Sequence, residues 1–473
     1  MLGAAAVPVT VEVRGAFESL LHELVAQGLP ELLGVLSEAG SWLPAHVRKE
    51  LEAFLGCGDP KLGFAWLVCE GCDHHRLVPF SCKGRGFCPA CCGRRMAEQA
   101  AHWVDRVIPR VAVRQLVLTV PWPRRWLLAR RPDLASGVLN IAISRISKWY
   151  ARRCREPSGK AGTITVQQRF GSALNLNLHF HIIALDGVYT RDEKTGVLRF
   201  HRAPTPTTAE VEALVIDIAD ASERFLTTQG FGAGDDGEPP DEDDALALFQ
   251  KASLHRVTAA GPRAGKGLRR QQVFGGKAFA LPERCGSYDG YNLHAGVFMG
   301  AGDRKGLEQL CRYIARPPLA QERLEVRADG TVVVGLKRIW SDGTKAIELS
   351  PMELVEKLAA IIPPRYVHQT VYHGVLAGNS AWRKEVVPKP PAESDAEKER
   401  RIARTLRKGA CSPALRATWA ELLARVFAVD GWSCPQCGLA MKLRANIEGA
   451  PLTTHLLRSL TCRGPPDAVT TAR

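Results

Sequence analysis

Seven cysteines crowd between positions 57 and 92, half of the fourteen in this 473-residue chain. That crowding limits what this part of the chain can fold into. Cysteines at such spacings in a chain expected to stay in a reducing compartment point to metal thiolates rather than disulfides. Cys69 and Cys72 form one C-x-x-C pair, and Cys88 and Cys91 a second, with fifteen residues between the pairs. Each pair lets two thiolates reach one ion from a tight turn, and two pairs close a tetrahedral Zn²⁺ site. Four thiolates leave no open position, so the role expected is structural. Cys82 and Cys57 complicate the assignment: either can replace one of the four, or a second ion can be shared. Cys92 reads as a buried thiol.

The net charge is +14, with a sequence pI near 9.3. Lysine and arginine in that excess favour a polyanion, above all nucleic acid. The apolar fraction of 45% is that of a globular protein,. No stretch approaches the roughly 18 apolar residues of a membrane span. The start, MLGAAAVPVTVEVRGAF, lacks a basic region followed by a continuous apolar one, so a cytoplasmic protein is expected,.

The length suggests two to four domains. Residues 1–105 read as a helical and zinc-binding unit, with helical apolar spacing over 11–55 and a Cys- and Gly-rich stretch over 56–95. Residues 106–350 read as the catalytic domain. It holds a strand in VRQLVLTVPWP, a helix in PDLASGVLNIAISRISKWYARRC and a hairpin made of GTITVQQRF and NLHFHIIALDGVY,. An insertion is expected near 203–280, including the acidic run GAGDDGEPPDEDD. YNLHAGVFM reads as a strand, GDRKGLEQLCRYIA as a helix stopped by Pro317 and Pro318, and 325–340 as a hairpin around Asp329-Gly330. Residues 351–390 read as an extension. Residues 391–473 read as a linker and a C-terminal helix with a knuckle at Cys434 and Cys437, which His455 and Cys462 are placed to complete.

Within the hairpin, His179 and His181 flank Phe180. Side chains alternate along a strand, so the two imidazoles share a face and can hold one divalent ion while Phe180 packs behind the sheet. A third ligand is needed. If the turn is centred between Ala173 and Leu174, Gln168 stands opposite His179 and offers a neutral oxygen; His294 and Gln309 are rivals. Tyr313 lies near the end of its helix, between Arg312 and Arg316. Arg169, Arg312 and Arg316 are candidate phosphate contacts, although arginines are also ordinary surface charge.

The blocks CEGCDHHRLVPFSCKGRGFCPACCGRRM, QQRFGSALNLNLHFHIIALDGVY and LEQLCRYIARPPLAQERL resemble, in that order, the hallmark blocks of the zinc-binding, HUH-type insertion-sequence transposases. YHGVLAGNSAWR and SCPQCG resemble later blocks of the same family, so the similarity runs from about residue 15 to 450. The resemblance implies an α+β fold. A zinc-binding N-terminal domain precedes an HUH antiparallel sheet with flanking helices, and a small C-terminal unit follows. It implies that His179 and His181 bind a catalytic Mg²⁺ or Mn²⁺ and that Tyr313 is the nucleophile. It further implies single-stranded DNA of a mobile element and its target as substrate, a 5′-phosphotyrosine intermediate and rolling-circle transposition. Some members carry two tyrosines four residues apart on this helix. Gln309 stands at the upstream position here, which resembles the single-tyrosine branch. The sequence allows a homo-oligomer.

A phenol with a pKa near ~10 is a poor nucleophile at neutral pH. A divalent ion that withdraws charge from the phosphate helps it. Exchange of the phosphodiester needs no ATP, in keeping with the lack of a G-x-x-x-x-G-K-[ST] loop. Three other readings fit parts of the sequence: an HUH replication initiator or relaxase, a zinc-dependent nucleic-acid-binding protein without catalysis, and a metallohydrolase using the His pair.

Overall fold

The computed structural model describes residues 9–11, 16–232, 244–273, 282–389 and 433–461. The acidic run at 233–243, the linker and helix expected between 390 and 432, and Cys462 lie outside these residues.

The centre is a six-stranded sheet. In spatial order its strands are β10 (Cys285–Tyr288), β11 (Tyr291–Met299), β4 (Val113–Thr119), β6 (Leu176–Leu185), β5 (Gly162–Phe170) and β15 (Thr370–Gly374). Every neighbouring pair is antiparallel. The outer strand β15 comes from the YHGVLAGNSAWR region, so the stretch beyond residue 350 also builds this sheet. Its last residue, Gly374, has φ of 60°, and a Cβ there would lie 1.9 Å from the Ala161 carbonyl oxygen. Only glycine lets β15 close so tightly onto β5.

Alternation along β6 divides the core in two. Phe180, Ile182 and Ala184 face α4 (Trp122–Arg130), α5 (Pro132–Cys154) and α6 (Thr208–Thr228). Helix α5 buries Leu139, Ile143, Ile146 and Tyr150 as its spacing predicts. Helix α6, placed by sequence in an insertion, packs Val211, Leu214, Val215 and Ile218 into this same core. Ile183 and Leu185 face the opposite way, against α8 (Arg304–Ala315) and the turn Trp103–Val107 that ends α3 (Pro89–His102). A small hairpin, β7 (Gly187–Arg191) and β8 (Leu198–Arg202), follows β6.

A second core gathers α1 (Leu20–Glu38), α2 (Ala45–Leu55), α7 (Ala245–His255) and α9 (Pro351–Ile361). It abuts a sheet in the order β12 (Leu324–Val326), β13 (Val332–Gly335), β14 (Thr344–Leu349) and β9 (Arg269–Gln272). Every residue of α9 is buried. Its capping box, Ser350 with Glu353, satisfies two otherwise orphaned N–H groups and is worth about 1 kcal/mol,.

The front sheet has the order β1 (Val9–Val11), β3 (His75–Pro79), β2 (Gly63–Cys69) and β16 (Met441–Glu448). Met441 pairs with Cys69 and Glu448 with Gly63. The strand of the C-terminal unit therefore lies inside the zinc-binding front end. Among the described residues no helix is long and apolar enough to cross a membrane.

Candidate active site and metal centres

The thiolates form two groups of four, which corrects the single site read from spacing. Cys57, Cys82, Cys88 and Cys91 form one group; Cys69, Cys72, Cys434 and Cys437 form the other, and within each group all four sulfurs lie within 4.8 Å of one another. The two C-x-x-C pairs of the front end thus serve different sites. In the first, Sγ–Sγ separations include 3.6 Å for Cys57–Cys88, 3.8 Å for Cys57–Cys91 and 3.5 Å for Cys82–Cys91. In the second they include 3.4 Å for Cys69–Cys437 and 3.5 Å for Cys72–Cys434. A tetrahedral zinc with bonds of ~2.3 Å separates its sulfurs by about 3.8 Å, so both groups fit the ion closely. The Cys82 backbone N–H donates to Cys57 Sγ and that of Gly84 to Cys82 Sγ, which suits thiolates,. Cys92 is buried outside both groups. The Cys434 knuckle is completed by Cys69 and Cys72, not by His455.

The catalytic candidates sit at one end of the central sheet. Gln168 pairs with His179 across β5 and β6, as the hairpin turn predicts. The His179 and His181 rings are 4.9 Å apart, and both side chains are buried. His179 Nδ1 lies 2.8 Å from the Asn177 carbonyl oxygen. A carbonyl only accepts, so Nδ1 carries the proton and Nε2 the lone pair. His181 Nδ1 lies 2.8 Å from the side-chain amide of Gln115, and its Nε2 is buried without a partner. Gln168 donates its amide N–H to the Ile314 carbonyl on α8, which leaves its buried Oε1 without a donor. Two imidazole nitrogens and one amide oxygen are thereby left for something the protein itself does not supply. That donor set suits a divalent ion with open positions.

Both imidazoles are in the form a metal needs. Burial holds His179 down to about 4, with Arg316 and Arg125 adding to it against the Asn177 hydrogen bond. Burial, then the charges of His179, Arg316 and Lys337, holds His181 well below the usual histidine range. Of the rival third ligands, Gln309 is exposed on α8. His294 lies on β11, two strands from His181 across β4.

Helix α8 delivers Tyr313. Asp303 caps it by accepting from the Gly306 N–H at 2.8 Å, and Pro317 and Pro318 follow its end. Leu307, Leu310, Cys311 and Ile314 anchor one side. Tyr313 is 51% exposed, yet its ring meets the His181 ring edge-on at 6.2 Å. Arg316 stacks on the tyrosine at 4.0 Å, and its Nε and Nη1 are buried without partners. Arg312 instead pairs with Glu308 on its own helix at 2.5 Å. Arg169 is interior, 5% exposed, with Nη1 donating to the Ala129 carbonyl.

Two neighbours escaped sequence reasoning. Gln115 is a buried polar side chain between Val113 and Val117 on one face of β4, and that misfit was its one signal. Lys337 follows β13, with Nζ 5.9 Å from the Tyr313 ring centroid. Burial, then Arg316 and Arg323, lowers its pKa to about 8. Nothing in the local sequence marks it.

Comparison with known families agrees with this geometry. Residues 162–384, which include β5, β6, α8 and β15, match the family model described as "Putative transposase". Residues 34–120 match the model described as "Transposase zinc-binding domain". With the two thiolate groups, these matches support a zinc-binding insertion-sequence transposase, a strand-transfer enzyme that binds the DNA of a mobile element and carries structural zinc. No curated protein and no solved structure matches the chain.

Proposed function

We propose that this chain is an HUH-type, single-tyrosine strand transferase that moves single-stranded DNA by the rolling-circle route. The observation that carries the reading is the approach of Tyr313 to the His181 ring at 6.2 Å, beside a histidine pair with unsatisfied nitrogen. His179, His181 and Gln168 hold Mg²⁺ or Mn²⁺, which when bound withdraws charge from the scissile phosphate. Arg316 holds a phosphate oxygen beside the ring on which it stacks, and Arg312 is a second, outer contact. Lys337, partly neutral at neutral pH, accepts the phenol proton,.

As the Tyr313 Oη–P bond forms, the bond from phosphorus to the 3′ oxygen breaks, and that oxygen takes a proton from solvent. The product is a 5′-phosphotyrosine and a free 3′-OH. One phosphodiester replaces another, so attack by a 3′-OH on the phosphotyrosine rejoins the strand without ATP. Gln309 occupies the position of a second tyrosine, so one chain holds one strand end at a time. The substrates proposed are the ends of a mobile element and its target DNA.

The test is a labelled single-stranded oligonucleotide incubated with the protein and Mn²⁺, then run under denaturing conditions. A labelled band at the protein's mass supports the reading. Cleavage without such a band points to a metallohydrolase, and binding without cleavage to a zinc-dependent DNA-binding protein; either overturns it.

A further inference from the structure

A cavity of about 70 Å³ lies where the front zinc knuckle, β5, the end of α8 and the end of α9 meet. At ~30 Å³ per water, that is room for roughly two waters or one tetrahedral oxyanion. Arg85, Arg95, Arg169 and Arg316 line it with the amides of Gln99 and Gln168, and no aspartate or glutamate is in the lining. Four arginines in the lining of so small a space, with no acid among them, ask for an anion.

The arginines are not all satisfied elsewhere. Arg169 is 95% buried, and its Nε and Nη2 have no hydrogen-bond partner. Arg316 likewise leaves Nε and Nη1 buried and unpaired. Among the described residues neither forms an ion pair. A buried guanidinium without a counter-charge is costly, and burial alone lowers the Arg169 pKa to about 10. Arg95 spends Nη2 on the Lys83 and Gly84 carbonyls, and the Arg85 side chain is exposed at the rim. The nearby Glu50 carboxylate accepts from the backbone N–H groups of Arg85 and Gly86, holding the knuckle in place. Arg316 is shared: it lines the cavity and stacks on Tyr313.

We propose that this cavity binds one phosphate group of the DNA strand, next along the backbone from the phosphate that Tyr313 attacks. The proposal rests on the strand-transfer reading for the identity of its ligand. Guanidinium forks match phosphate oxygens, and Arg169 and Arg316, each with unpaired donors, both belong to the lining,. The consequence is a working role for the zinc knuckle. It brings Arg85 and Arg95 to the backbone of the strand and so fixes which bond meets the tyrosine.

Two measurements on the full chain test this. The first is thermal unfolding in inorganic phosphate against chloride at equal ionic strength. Phosphate should raise the midpoint of the native protein, raise that of Arg95→Gln less, and leave that of Arg169→Gln unmoved. No rise in the native protein, or equal rises in all three, overturns the site. The second replaces oligonucleotide phosphates one at a time by neutral methylphosphonates. One position beside the scissile bond should cost about tenfold in binding to the native protein and little in binding to Arg95→Gln, which serves if Arg169→Gln fails to fold. A scan without such a position overturns the assignment to DNA. If no covalent adduct forms but both Arg-dependent effects are seen, the phosphate site stands and the nicking reading falls.

Discussion

The ring centroids of His181 and Tyr313 stand 6.2 Å apart, at an interplanar angle of 88°. One residue comes from the middle strand of a sheet, the other from a helix far along the chain. The contact is fixed from both sides. Gln115 holds His181 from β4, and Gln168 ties β5 to the Ile314 carbonyl one residue beyond the tyrosine. A nucleophile and a pair of metal-ready imidazoles are thus set against each other by hydrogen bonds inside the fold.

Replacing both His179 and His181 by alanine is expected to lower adduct formation by about 10³-fold or more, since one electrostatic contact at a transition state is already worth 10²–10³. DNA binding should largely persist, because it rests on spread-out phosphate contacts. Gel-shift and denaturing gels on the same samples check both. Cleavage at the native rate would make the histidine pair structural.

Gln168→Ala removes the proposed oxygen ligand and the bond to Ile314. A drop of about 10–100-fold in activity, partly recovered at high Mn²⁺, is expected. A drop that no amount of Mn²⁺ recovers would assign Gln168 to holding the helix alone.

Metal analysis should find two zinc ions per chain. Cys437→Ser should lose one and free β16 from the front sheet; Cys88→Ser should lose the other and unfold the stretch around α3. Hydrogen exchange over 441–448 reads the first effect directly. One zinc in the native protein, unchanged by Cys437→Ser, would contradict the two-site arrangement.

Lys337 sets a pH dependence. Its pKa is lowered, to about 8, so the proton-accepting amine is the minor form at pH 7 and the major form above 8. Burial, then the charges of Arg316 and Arg323, holds the value down. Adduct formation should therefore rise from pH 7 and level off above about 8. Lys337→Met should lower the rate by roughly 10²-fold or more and abolish that inflection. An unchanged profile would remove Lys337 from the reaction.

Much of this site was legible in sequence because its parts are local. The 168–179 register follows from one short turn and strand alternation. The tyrosine helix is announced by Asp303 at one end and two prolines at the other. The zinc grouping was not legible. Cys69 and Cys72 look complete beside Cys88 and Cys91, and only the pairing of β16 with β2 brings Cys434 and Cys437 to them. Long-range strand pairing leaves no trace in local spacing. Lys337 was hidden for the same reason, since it reaches Tyr313 from the separate sheet of β12–β14 and β9.

The central claim is that Tyr313 alone takes the strand. Tyr291, three residues before His294, is buried on the far face of the sheet with its hydroxyl donating to Glu223 at 2.7 Å. Tyr288, 42% exposed on an outer strand of the same sheet, is a competitor. Mass spectrometry of the protein trapped on single-stranded DNA with Mn²⁺ decides between them. The account predicts the nucleotide on the segment from Cys311 to Arg316, at Tyr313, and its loss in Tyr313→Phe with zinc content unchanged. A nucleotide on Tyr288, or an adduct that survives Tyr313→Phe, would contradict it.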